Sequence, residues 1–116
     1  PVRLGRASFA RAKVQGTRFI EAELYAANFE RAVLTRSSFV GYAGSTFSLS
    51  RSCFRGAALV QVDLSDCNLY GADFSGALLV GCDLRAANFC ETNLRGAHLV
   101  GCKTNGTDFE GAVFSD

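Results

Sequence analysis

An apolar side chain recurs every fifth residue along almost the whole of this 116-residue chain. Stepping by five from Leu4 gives Phe9, Val14, Phe19, Leu24, Phe29, Leu34 and Phe39, then Gly44, and the beat resumes at Leu49 and runs to Phe114. Of the 23 steps, 21 are apolar, the exceptions being Gly44 and Thr104, and every one of the ten Phe except Phe47 stands on the beat. A period of five fits neither common element. On an α-helix five residues turn by about 500°, so the beat wanders around the cylinder. In an extended strand an odd step flips alternate side chains to opposite faces.

Two further registers show what does fit. Two residues before the beat, Ala stands eleven times and Cys three times, at Cys67, Cys82 and Cys102, with Tyr42 and Phe47 as the only bulky exceptions. Two residues after the beat stand ten of the twelve Gly. A chain that turns a corner every five residues keeps all beat side chains pointing to one interior. The glycines then serve the repeated tight corners, and the small residues fill the remaining interior space. Four corners close a square coil of twenty residues.

The units "ANFER" (27–31), "VDLSD" (62–66), "CNLYG" (67–71), "ADFSG" (72–76), "CDLRA" (82–86), "ANFCE" (87–91) and "TNLRG" (92–96) carry this pattern. They resemble the pentapeptide-repeat family, whose unit is written A-(D/N)-L-x-x, and the resemblance covers essentially the whole chain. It implies an all-β fold, a right-handed quadrilateral parallel β-helix of about six coils. In such a rod residues twenty apart stack. Phe9 is then expected on Phe29, Phe19 on Phe39, Phe54 on Phe74, and Phe89 on Phe109, with Leu64, Leu84, Cys82 and Cys102 in the same core. Asn28, Asn68 and Asn88 are expected in one column, bonded to backbone groups at the corners.

The stretch "FVGYAGSTFSLS", Phe39 to Ser50, breaks the rhythm, and residues 40–50 are the irregular segment of the rod. Phe39 to Phe54 is still three whole units, so two accommodations stand open. In the favoured one the chain stays in register and Tyr42 and Phe47 fill the space left by Gly44. In the other, Phe47 takes the beat and small loops bulge on either side.

The length suits a single domain, 1–116. The chain has no Met, and the expectation is a domain excised from a longer protein. No apolar run approaches the roughly 20 residues of a membrane span. Five Cys without a C-x-x-C pair and a single His, His98, show no zinc-ligand spacing. No metal or cofactor is therefore expected, and unpaired thiols favour a reducing, cytoplasmic compartment. Neither a nucleophile motif nor a phosphate loop is present, and the glycines are taken up by the repeat, so no catalytic residue is assigned and the chain is not expected to be an enzyme.

Charge is distributed unevenly. Through residue 58 nine basic residues face three acidic ones, a net of +6; from residue 59 three face eight, a net of −5. Arg11, Arg31 and Arg51 stand twenty apart and are expected to form one stripe; with Tyr42 and Phe47 they make the candidate interaction surface, suited to an acidic partner. Direct nucleic-acid binding is disfavoured, because no aromatic residues interleave with that stripe. The expected role is a rigid, non-catalytic interaction or spacer module. Its partner would be another protein or other domains of a parent chain, with self-association through coil ends as a further contact. The resemblance also implies an alternative, since some members of the family are DNA mimics that inhibit or protect gyrase. That reading calls for an extended acidic rod, and here only the C-terminal coils are acidic.

Overall fold

The computed structural model describes residues 2–20, 22–41 and 45–115. The chain winds as a square coil, and every pairing between strands is parallel. The first side carries β1 (Val2–Arg3), β4 (Ala22–Glu23), β7 (Phe47–Ser48) and β9 (Cys67–Asn68). The second is held by single parallel bridges running from Ser8 through Asn28, Cys53, Asp73 and Asn93 to Val113. The third is a five-stranded sheet of β2 (Lys13–Gln15), β5 (Val33–Thr35), β8 (Ala58–Val60), β10 (Leu78–Val80) and β11 (His98–Val100). The fourth pairs β3 (Arg18–Ile20) with β6 (Ser38–Val40) and continues as bridges through Asp63, Asp83 and Lys103. Two sides therefore stack six layers and two stack five, roughly five and a half coils.

The corners explain the period of five. After Leu4 the chain turns so that the Ala7 amide donates to the Leu4 carbonyl, and the same bond recurs at Phe9, Leu24, Phe29, Leu49, Phe54, Leu69 and Phe74. The residue two after the beat takes positive φ, between 47° and 75°, at the regular corners; Gly41, at the irregular stretch, does not. A four-residue turn with a left-handed third position is a type II arrangement, which glycine satisfies without a Cβ penalty. The amide of that left-handed residue then donates to the next layer, as from Gly71 to the Cys90 carbonyl at 3.0 Å.

The interior is filled by the beat and by the small register before it. Phe29, Phe39, Phe54, Phe74, Phe89, Leu64, Leu84 and Cys82 are buried; Phe9, Phe19, Phe109 and Cys102 lie in the outer layers and are partly covered. Phe9 stacks on Phe29 at 4.9 Å, Phe19 on Phe39 at 4.8 Å, and Phe54 on Phe74 at 4.7 Å, each within 9° of parallel. Phe89 and Phe109 are neighbours at 5.5 Å but tilted by 43°.

The irregular stretch departs from the favoured in-register account. Before it, residues twenty apart pair; across it they pair twenty-five apart, as Val33 with Ala58 and Ser38 with Asp63. After it the step of twenty returns, as Phe47 with Cys67. The register of the ladder therefore skips five residues between Gly41 and Phe47. A Cβ at Gly41 would collide with the Ser45 carbonyl, so the two ends of the detour close on a glycine. Phe47 does not take the beat either. It sits two residues before Leu49, in the slot that Cys67 fills one layer on, only 3% exposed and edge-on to Phe39 at 5.5 Å.

Packing accounts for this outcome. Staying in register would press both Tyr42 and Phe47 into small slots and leave the beat to Gly44. With the skip of five, Phe47 is buried and Phe54 lies on Phe29, 4.8 Å apart and within 1° of parallel. The two predicted pairs thereby join into one column, Phe9–Phe29–Phe54–Phe74. Such ring contacts add to their area burial.

Candidate interaction surface

Among the described residues no buried side-chain nitrogen or oxygen lacks a hydrogen-bond partner, and no group of three His, Cys, Asp or Glu is placed to hold a metal ion. The interior thiols are not nucleophiles. Burial pushes the Cys82 thiol up to about 11 and drives Cys67 upward as well. Cys82 donates to the Leu59 carbonyl at 3.3 Å and Cys67 to that of Phe39 at 3.4 Å. A cleft of about 250 Å³ opens at the detour between Phe39, Gly41, Phe47, Asp63 and Asp66. What this molecule offers a ligand is its outer surface.

The detour rearranges the candidate residues on that surface. Arg11 and Arg31 occupy successive layers of the second corner, and the layer after Arg31 holds Gly56, not Arg51. Arg51 belongs to the first corner, in the column Arg6, Ala26, Arg51, Gly71, Glu91, Gly111. The stripe of three is therefore two columns on adjacent edges of one face. Phe47, named with the candidate surface although the favoured account turns it inward, is buried; Tyr42 lies outside the described residues. Asn28 likewise leaves the column of Asn68 and Asn88 for the neighbouring side. All three do bond their own turns, accepting the amides of Glu30, Tyr70 and Cys90 at 2.8–3.1 Å.

The rearrangement brings aromatic rings to the arginines. Tyr25 and Tyr70 project from the first side, 43% and 41% exposed. The Arg6 guanidinium lies over the Tyr25 ring at 6.0 Å and that of Arg51 over Tyr70 at 5.8 Å. Such contacts are worth ~0.5–1 kcal/mol at exposed sites. The premise that no aromatic residue interleaves with the basic column thus fails once Arg51 moves to the first corner. Neither tyrosine was singled out in the sequence, although each follows a beat residue on the same side of the coil.

Arg6, Arg11, Arg31, Arg36 and Arg51 all hold the left-handed corner position, with φ from 47° to 62°. Among the described residues none of the five makes an ion pair. The arginines that do are elsewhere: Arg55 with Asp73 at 3.1 Å and Glu30 at 3.9 Å, Arg85 with Asp83 at 2.7 Å, and Arg3 with Glu23 at 3.8 Å. The signal that could have found this set was present in sequence, since these arginines occupy the register otherwise held by glycine.

A second surface also went unnoticed. The outward positions of the five-stranded sheet are largely uncharged, with Val33 41%, Leu78 41% and Val100 53% exposed. The formal charge on these strands is that of Lys13, on an outer strand.

The family model for pentapeptide repeats matches the chain with eight copies over residues 3–41, 67–103 and 92–116, pausing where the detour lies. No curated protein sequence matches. Among solved structures, a trypsin-treated form of QnrB1, a plasmid-mediated fluoroquinolone resistance protein, is 26% identical, with a TM-score of 0.58 over 95% of this chain and 61% of that one. A second trypsin-treated form of QnrB1 gives 27% identity and a TM-score of 0.54 over 90% and 58%. A pentapeptide repeat protein from the Arabidopsis thaliana thylakoid lumen is 29% identical, with a TM-score of 0.52 over 88% and 61%. The chain thus spans about three-fifths of the length of these structures. No helix among the described residues is long and apolar enough to cross a membrane. Repeat, corner geometry and family match agree: the chain belongs to the pentapeptide-repeat family.

Proposed function

We propose that the chain acts as a rigid, non-catalytic interaction module for a protein partner. The observation that carries this reading is the filled interior. Every layer from Leu24 to Leu94 is closed by buried Phe, Leu, Ala or Cys, so the groups able to do chemistry stand outside on corners set by the repeat. A solenoid of this kind presents ladders of side chains at fixed spacing and recognises partners through its long faces. Nothing among the described residues assembles an acid, a base and a nucleophile around one concave point.

A second reading, a DNA mimic acting on gyrase, is favoured by one comparison, since QnrB1 is a fluoroquinolone resistance protein. The carboxylates of Asp108 and Glu110 on the first side, with Glu91 at its corner, are compatible with it. The arginine corners of the first three layers oppose it, because a phosphate track has no cations. A gyrase supercoiling assay at micromolar protein, with and without a fluoroquinolone, separates the two. The interaction module leaves supercoiling and drug sensitivity unchanged. Inhibition, or protection from the drug, would replace it with the mimic.

A further inference from the structure

The arginines at the corners stand where the fold would be better served by glycine. A left-handed residue with a Cβ is strained, and Arg11 and Arg31 stand in successive layers, so their charges repel at close range. Neither cost is offset by an ion pair among the described residues. From the fourth layer on, the first two corners use Gly71, Gly76, Gly96 and Gly111 at the same backbone geometry, with Glu91 as the exception among the described residues. Strained cations that make no ion pair are where a surface kept for a partner is to be sought.

The guanidiniums are also held in place. The Arg51 stem lies along Gly71, where an added Cβ would stand 3.5 Å from its Cγ, and the head rests on Tyr70. The Arg31 stem lies in the same way against Gly56, at 3.4 Å. Arg6 rests on Tyr25. A side chain already laid down loses less freedom on binding, and the planar guanidinium takes a carboxylate through two parallel hydrogen bonds.

We propose that the edge formed by Arg6, Tyr25, Arg51 and Tyr70, with Arg11 and Arg31 across the adjoining face, docks a compact carboxylate-rich patch on a protein partner. The assignment rests on the interaction-module reading and specifies the partner's chemistry. Two features favour a protein over a nucleic acid. A face of each tyrosine ring is already covered by a guanidinium, which removes it as a platform for bases. Down the same corner column Arg51 is followed two layers later by Glu91, with Asp108 and Glu110 on the adjoining side, so a polyanion lying along the rod would run into like charge. Tyr and Arg are also the side chains that dominate the centres of protein interfaces.

The test uses poly-L-glutamate as the carboxylate probe and an oligothymidylate as the nucleic-acid probe, both at low and physiological salt. Arg6→Gly/Arg51→Gly is compared with Lys13→Gln/Arg18→Gln, which removes the same charge from other sides of the first coil. The expected result is roughly tenfold weaker poly-glutamate binding for the corner variant, about a two-fold change for the control, and a melting temperature for the corner variant equal to or above that of the parent. An equal loss in both variants reduces the effect to net charge and overturns the proposal. Tighter binding of the oligothymidylate overturns the choice of a protein, and a melting temperature several degrees lower makes the arginines structural. An absence of any poly-glutamate binding by the parent removes this surface, whereas the interaction-module reading stands or falls separately on the gyrase assay.

Discussion

The first three layers and the last three share one backbone and differ in what they place on it. At the left-handed corners the early layers carry Arg6, Arg11, Arg31, Arg36 and Arg51, and the later ones carry chiefly Gly71, Gly76, Gly81, Gly96, Gly101, Gly106 and Gly111. The early cations at these corners lack carboxylate partners among the described residues, whereas Arg85 in the later coils is paired bidentately with Asp83, at 2.9 and 2.7 Å. The detour belongs to the early half as well. The C-terminal half shows that the same corners close with glycine at most positions. What the N-terminal half adds to it has to be explained by something other than the fold.

The core offers the strongest way to probe this difference. Phe54 lies between Phe29 and Phe74 because of the detour. Phe54→Ala is expected to cost about 3–5 kcal/mol in urea unfolding. A value near 1 kcal/mol would mean that the four-ring column does not knit the halves together. Phe47 gives the next largest effect. As a buried ring beside Phe39, its replacement by Ala should cost about 2–4 kcal/mol, whereas a surface Phe47 would lose less than about 0.5 kcal/mol.

Corner chemistry comes next. Gly71 has φ +70° and faces the Arg51 stem, so Gly71→Ala should lower stability by about 1 kcal/mol. Gly5→Ala, at a corner position without positive φ and with its nearest neighbour at 3.5 Å, should stay within about 0.5 kcal/mol. Equal effects at the two sites would dissolve the link between the glycine register and left-handed turns.

The smallest effect is a response to acid. The side-chain hydrogen bond from Arg85, against a smaller opposing effect of burial, holds the Asp83 carboxyl below its usual range. At Asp73 burial pushes upward, but hydrogen bonds from Ser75 and Arg55 outweigh it and the net direction is again down. A carboxyl whose folded value is depressed contributes stability that is whole above about pH 4 and is lost as the pH falls through the folded value. Melting temperatures should therefore drop between pH 5 and the acid limit by slightly less in Asp83→Asn than in the parent. An identical acid response would show that the Arg85 pair adds nothing to stability, which is common for exposed pairs.

Much of the fold was legible because the repeat is a steric statement. Leu, Phe and Val every five residues, with Ala before and Gly after, admit a chain that turns at each unit, and the ring pairs before and after the irregular stretch followed from a step of twenty. The detour was not legible. A whole unit can leave the wall without disturbing the count of five, so the beat at Phe54 reads the same whether or not Tyr42, Ala43 and Gly44 are part of the coil. The candidate surface inherited that error, because Arg51 changes column when one unit drops out. Tyr25 and Tyr70 were overlooked for a related reason: their position after the beat says that they face outward and nothing about which arginine lies above them.

The sequence alone determined the period, the inward and outward registers, the turn at each corner and the separation of charge along the rod. These depend on neighbours within five residues and on the handedness of the backbone. Only the tertiary structure decided which coil lies on which, and hence that Phe54 stacks on Phe29, that Phe47 lies under Cys67, and that Arg51 meets Tyr70. The physical reason is that each layer's register is set by backbone hydrogen bonds to the next layer. Those bonds are equally good for a step of twenty or of twenty-five, and the choice between them falls to the packing of a few large side chains around one glycine, Gly41.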